Sequence, residues 1–271
     1  MVKVYSCGDI FYNDNKDFLL TNKYTEVFYR FDSPLLKETS KDEYALKVYN
    51  EKNALVVLCK EPFNLLFYGD GSLADEMVDY LLDNGYKIKD YLCPTVLGDA
   101  FLTSFKKRGY DYHLAIGMDF MEAKQRCSVD SDLVEKVSTN DLDEIYQLCC
   151  NFVKDCGLKD TVDKERLEDR IEEFRVIRKD NKIISMAKYR ESAEGNKNIS
   201  YVYTRDEYRG KGYGKIVVGT LLNEIIDSGY LASLNVDQKN PISYHIYSSL
   251  GFKKIFSQGI YVLDNKKENK D

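Results

Sequence analysis

The segment that most constrains this chain is Asn198–Lys215, NISYVYTRDEYRGKGYGK. It runs a β-branched, tyrosine-rich stretch directly into a cationic turn punctuated by Gly210, Gly212 and Gly214. The first part has the composition of a strand. The stretch that follows, IVVGTLLNEII, puts Val217, Val218, Leu221, Leu222, Ile225 and Ile226 at helical spacing and predicts a helix over 216–226. A strand that feeds a glycine-rich turn and a helix N-terminus makes an anion cradle. Glycines let the backbone curl, and unpaired N–H groups and the helix dipole then face a phosphate.

Two common cradles can be tested against the spelling. A Walker-type loop needs GxxxxGK followed by Ser or Thr. Here Ile216 follows Gly214-Lys215, and the position five before Gly214 is Arg209, so that loop is excluded. The dinucleotide fingerprint needs GxGxxG, whereas Gly210, Gly212 and Gly214 give GxGxG. Asp237 does follow the next strand-like run, LASLNV, at roughly the ribose-binding distance of a Rossmann unit, so a dinucleotide site competes at this stage.

The run Arg209-Gly210-Lys211-Gly212-Tyr213-Gly214 resembles the R/Q-x-x-G-x-G/A pyrophosphate loop of the GNAT superfamily of N-acetyltransferases. A second block, Asn240 to Phe252 (NPISYHIYSSLGF), resembles that family's N-x-x-S/A-x-x-x-Y-x-x-L-G-F signature, one strand further on. The resemblance covers about residues 130 to 264. Over that range LVEKVS reads as a first strand and DLDEIYQLCCNFV as a helix. DKERLEDRIEEF reads as a charged second helix with Leu167, Ile171 and Phe174 as its stripe, and RVIRKDNKIISMAKYR as a hairpin turning at Asp180-Asn181. The motif strand, the helix over 216–226, LASLNV, a short helix after Asn240 and KKIFSQGIYVL complete the unit. The resemblance implies an α/β (α+β mixed sheet) architecture, the GNAT acyl-CoA N-acyltransferase fold.

It also implies a chemistry: direct transfer of an acetyl group from acetyl-CoA (coenzyme A) to a primary amine on a small-molecule or peptide acceptor, with no metal. Carried over position by position, the main-chain N–H groups of Arg209, Gly210, Lys211, Gly212, Tyr213, Gly214 and Lys215 would hold the pyrophosphate, and the cations would add charge. The main chain of Val202, Tyr203 and Thr204 would pair with the pantetheine arm. Arg205-Asp206 stands where the family often has a proline after this strand, so the turn is expected to be less rigid. Asn240 matches a position that contacts pantetheine, with N-capping as the competing role. Tyr247 matches the general acid beside the cofactor sulfur, because a phenol near pKa ~10 stays protonated at neutral pH. No base can be named. NISYVYT carries no acid, and Glu172, Glu173, Glu191, Glu194 and His245 all suit a solvated surface. Cys149 and Cys150 fall on a core-facing helix. A noncatalytic acyl-CoA-binding or sensing module is the alternative.

At 271 residues two units are expected: 1–128, and a 129–271 domain that holds the cofactor, with the acceptor pocket shared between them. The first half contains the runs ALVVLC and NLLFYG, a helix LADEMVDYLL after Ser72, a second helix over Thr95–Lys107 and the strand-like YHLAIGM. Its order and size resemble a degenerate copy of the same unit without the cofactor loop. Gly69-Asp70-Gly71-Ser72 is a strand-to-helix turn, but it carries acid where phosphate needs cations or neutral groups. The boundary is expected in MDFMEAKQRCSVDSD, where strand character stops. A net charge of −6 speaks against a nucleic-acid binder. Neither a leader nor a membrane-spanning run is legible, and 7 cysteines without a CxxC pair suit reduced thiols, so a cytoplasmic protein is expected. With 2 histidines, a histidine-rich metal centre is not expected. A homodimer is allowed, and NKKENKD is expected to fray.

Overall fold

The fold is described from a computed structural model, in which residues 1–157 and 161–264 are described; the NKKENKD tail lies outside the described residues. The chain forms two compact units. The first holds Met1–Asp119, Asp237–Lys239 and the chain from Phe256, and the second holds Phe120–Val236 and Asn240–Ile255. This division differs from a cut after residue 128. The strand expected to end near Met118 runs on to Ala123, and the last strand returns to the first unit.

In chain order the elements are β1 (Val2–Val4), α1 (Gly8–Leu19), α2 (Lys23–Asp32), β2 (Tyr44–Tyr49), β3 (Ala54–Cys59), β4 (Leu65–Gly69), α3 (Ala74–Asp83), β5 (Tyr91–Pro94), α4 (Thr95–Lys107) and β6 (Tyr112–Ala123). There follow β7 (Val134–Lys136), α5 (Leu142–Asp155), α6 (Lys164–Glu168), β8 (Phe174–Lys179), β9 (Lys182–Glu191), β10 (Asn196–Thr204), α7 (Tyr213–Asp227), β11 (Leu231–Asp237), α8 (Pro241–Ser249) and β12 (Lys253–Leu263). The second ten elements repeat the order of the first ten: strand, two helices, three strands, helix, strand, helix, strand.

In the first unit β1 to β4 pair antiparallel in sequence, β4 runs parallel to β5, and Gln258–Tyr261 of β12 pairs antiparallel with Tyr91–Pro94. Alternate residues of each strand point to opposite faces. Leu55, Val57 and Phe67 therefore share a core with Phe101 and Phe105 of α4, while Val56, Leu58 and Leu66 share another with Phe11, Leu19 and Tyr29 of α1 and α2. Neither α1 nor α2 was legible in the sequence. Their buried aromatics are interleaved with Asn and Asp, so no apolar stripe stands out, and Asn22 supplies the cap of α2 by accepting from Tyr24 and Thr25 N–H.

In the second unit β7, β8, β9 and β10 pair antiparallel in sequence, and β10 runs parallel to β11. The turn between β8 and β9 lies at Asp180-Asn181 as expected, both at positive φ (51° and 61°), the geometry of a tight hairpin that Asp and Asn tolerate. The helix α7 is buried through Val217, Val218, Leu221, Leu222 and Ile225. Each such side chain contributes about 1.5–3 kcal/mol when taken from water. The second helix expected over 163–174 is corrected. Only Lys164–Glu168 is α-helical, Ile171–Glu173 is a 3-10 turn, and Phe174 opens β8. Leu167, Ile171 and Phe174 nevertheless bury into one core with Ile145 and Leu148. Helical spacing recorded the shared core and overstated the helix.

Candidate functional site

The motif strand parts from its neighbour. β10 pairs with β11 from Asn196↔Leu231 to Ile199↔Leu234, and beyond Ile199 it continues to Thr204 paired with β9 alone. The parting coincides with a bulge. Ser200 lies opposite Lys188 and Tyr203 opposite Met186, so Tyr201 and Val202 share the space facing Ala187. Tyr201 adopts φ 52°, which a β-branched or aromatic residue rarely does, and bulges of this kind bend a strand and re-aim its groups. Aromatic packing holds it there: its ring lies 5.0 Å from Phe152 and 6.5 Å from Phe174, with the Lys188 ammonium 5.2 Å away. Nothing in the local sequence marks Tyr201, because its conformation is imposed by neighbours on α5, β8 and β9.

The main chain of Val202, Tyr203 and Thr204, expected to meet the pantetheine arm, therefore lies along the parted stretch. Val202 packs toward the core under α7, and Tyr203 toward that under α5. The Thr204 hydroxyl is 2.8 Å from the Ser185 hydroxyl.

Past Thr204 the chain makes a short turn at Asp206–Tyr208 and enters the glycine loop. Gly210 and Gly212 have φ of 75° and 85°, and a Cβ built on either would meet nothing within 4 Å, so both need glycine for backbone conformation rather than for space. Gly212 is the N-cap of α7 and provides no side-chain oxygen, which leaves the first-turn N–H groups of the helix open to an anion. Tyr213, Gly214 and Lys215 form that first turn. Arg209 is placed differently from the expectation of a cation facing the loop. Its guanidinium bonds Asp155 at 2.7 Å, lies 2.9 Å from Asp206 and donates to the Thr204 carbonyl at 2.9 Å, so it fastens the end of β10 to α5. Lys211 donates to the Glu207 carbonyl at 3.0 Å.

The expected looseness at Arg205-Asp206 is also corrected, because Arg205 donates to Glu144 at 2.8 Å and to the Ile183 carbonyl at 2.6 Å.

The second motif forms α8. Asn240 caps it, its side-chain oxygen accepting from Ser243 N–H at 3.0 Å. Tyr247 is 7 % exposed and packs against Phe252, ring centroids 6.3 Å apart. Burial pushes its phenol up to about 12, partly offset by a hydrogen bond with Ser243, so it holds its proton at neutral pH. Tyr244, its neighbour in the motif, is exposed.

Of the carboxylates weighed as a base, Glu172, Glu191 and Glu194 are exposed, as is His245. Glu173 is half-buried, 3.5 Å from the Lys188 ammonium, which desolvation holds below the usual lysine range. The Cys149 thiol is buried and pushed up to about 12 by that burial, which fits a core thiol rather than a nucleophile. Among the described residues no cluster of His, Cys, Asp and Glu could hold a metal ion, and no helix is long and apolar enough to cross a membrane.

Known proteins share this architecture. Structures similar over nearly the whole chain include a GNAT-family acetyltransferase from Colwellia psychrerythraea, 11% identical, covering 97% of this chain and 98% of that one with a TM-score of 0.63. A Drosophila protein is 9% identical, covering 98% and 99% with a TM-score of 0.58. A GCN5-related N-acetyltransferase from Sphaerobacter thermophilus is 15% identical, covering 81% and 80% with a TM-score of 0.58. At these identities the likeness is one of fold, and the fold is the GNAT acyl-CoA N-acyltransferase fold. The family model described as FR47-like protein matches residues 177–262, a range that contains the bulge, the glycine loop and α8. That match spans less than half of the chain, and over the whole chain the likeness is one of fold. No curated protein sequence matches it.

Proposed function

We propose that the protein transfers an acetyl group directly from acetyl-coenzyme A to a primary amine, with the donor held in the second unit. The observation that carries this reading is the parting of β10 from β11 directly before an open helix N-terminus. An extended thioester arm needs free strand main chain, and a pyrophosphate needs free N–H groups, and one continuous segment, Val202–Lys215, offers both. The residues fit the donor. Gly210 and Gly212 leave the loop unobstructed, and the Asn240 amide group stands at the head of α8 beside the motif.

Acetyl-coenzyme A would bring an already activated thioester, so the chain's tasks are positioning and proton transfer. Tyr247 is assigned proton donation to the departing thiolate. A phenol held at about 12 suits a thiolate that is itself desolvated, since burial raises both. Deprotonation of the incoming ammonium is assigned to no residue. An acceptor that is a small molecule or a peptide amine is the corresponding substrate class.

The test is calorimetric titration of the full chain with acetyl-coenzyme A, coupled to thiol release over a panel of primary amines. Saturable binding with amine-dependent thiol release is expected. Absence of binding would overturn the reading, and tight binding without turnover on any amine would replace transfer with sensing.

A further inference from the structure

In the first unit, the turn Gly69-Asp70-Gly71-Ser72 occupies the place that the glycine loop occupies in the second. β4 runs parallel to β5 only through Leu65↔Tyr91 and Leu66↔Leu92, then continues to Gly69 and leads into α3. A cavity of about 490 Å³ lies at this parting, within the ~300–1,000 Å³ of small-molecule sites.

One end of the cavity is charged. The Asp70 carboxylate accepts from Ser72 N–H at 2.8 Å, filling the turn's own anion position, and this bonding holds it below the usual carboxylate range. A phosphate is thereby disfavoured. The Asp70 N–H donates to the Ala54 carbonyl at 2.9 Å, which brings the Lys52–Ala54 turn alongside. Lys52 lines the same cavity, is exposed, and is not ion-paired with Asp70. Three rings, Phe18, Tyr68 and Phe256, stand on the remaining wall together with Pro94, Val96 and Leu97. The Phe18 and Tyr68 rings lie 5.3 Å apart, the Tyr68 hydroxyl is fixed 2.7 Å from that of Thr21, and Phe256 stacks on Tyr24 at 6.2 Å.

We propose that this cavity binds an α-amino acid with a large apolar side chain, its ammonium on Asp70, its carboxylate on Lys52 and its side chain against Phe18, Tyr68 and Phe256. A site with one charge of each sign, neither neutralised by the other, discriminates against ligands bearing a single charge. Such a ligand leaves one of the two protein charges without a partner. Every residue involved belongs to the first unit, so the site stands apart from the acyl-transfer reading.

The test compares L-phenylalanine, 2-phenylethylamine and 3-phenylpropionate by calorimetry on the full chain. L-phenylalanine is expected to bind roughly tenfold more tightly than either analogue, the margin of one satisfied charge. Asp70→Asn, which keeps a capping oxygen for Ser72, should erase its advantage over 3-phenylpropionate. Lys52→Gln, on an exposed side chain that does not threaten folding, should erase its advantage over 2-phenylethylamine. Gly212→Asp should leave L-phenylalanine binding unchanged. No binding at millimolar concentration, equal binding of either analogue, or indifference to both charge substitutions would overturn the proposal.

Discussion

The Arg205 guanidinium meets the Glu144 carboxylate at 2.8 Å, and the same carboxylate oxygen accepts the Ile183 N–H at 3.0 Å. Glu144 on α5 thus holds both the start of β9 and the exit of β10, while Arg205 N–H donates to the Ile184 carbonyl at 3.0 Å. An ion pair does here what a proline's fixed φ would do: it fixes the direction in which the chain leaves the strand for the loop.

Replacing Glu144 by alanine should destabilise the protein by about 2 kcal/mol, because a hydrogen-bonded charge and a backbone N–H lose their acceptor together. Arg205→Ala should cost less, and the double variant less than the sum of the two. Urea unfolding of the four proteins measures the coupling. Strict additivity would show that the pair does not act as a unit.

Gly212→Asp should weaken acetyl-coenzyme A binding at least about tenfold, through a carboxylate placed at an anion site and a side chain forced to φ 85°. A Cβ there meets no neighbour, so the melting temperature should fall only modestly. Unchanged affinity by calorimetry would reject the loop as the pyrophosphate site.

Tyr247→Phe should lower kcat by about 100-fold or more while leaving the dissociation constant for acetyl-coenzyme A within about twofold, the pattern of a lost proton donor. Equal rates would reduce Tyr247 to a packing role.

The same residue makes a prediction about alkaline stability. Its phenol is raised from 10 to about 12, so the folded state holds the proton more tightly than the unfolded chain does. The stabilisation is complete below pH ~10 and is lost as pH rises through about 12, on the order of 2–3 kcal/mol for this group. Tyr247→Phe should flatten that part of the alkaline unfolding profile, with no change in its slope below pH ~9.

Asn223 on α7 grips the segment after β6, accepting from Cys127 N–H at 2.9 Å and donating to the Cys127 carbonyl at 3.1 Å. Asn223→Ala should cost about 1–3 kcal/mol by leaving both backbone groups without partners. Asn223→Asp should restore only the acceptor half. Chemical denaturation of the two variants separates these outcomes.

Legibility in the sequence followed the range of the physical cause. The Asp180-Asn181 hairpin, the helix after Gly212 and the helix headed by Asn240 could be read because each depends on residues within a few positions of one another. The break in α6 and the helices α1 and α2 could not. Whether Ile171–Glu173 continues a helix is settled by the β8 strand that Phe174 must enter, and the aromatics of α1 and α2 find their core on strands β2 to β5. Arg209 was read as a cation for the loop, and its actual partner, Asp155, lies on an element 54 residues away in sequence.

By itself the sequence determined the glycine loop and the two helices that follow Gly212 and Asn240, since these are written locally, in residues that adopt positive φ or cap the start of a helix. Tertiary structure decided where β10 bulges and parts from β11. The bulge lies at Tyr201, a residue with no local preference for φ 52°, held by Phe152, Phe174 and Lys188 from three other elements. Packing at a distance can hold a strained residue in place, and no pattern in the neighbouring sequence records that cost.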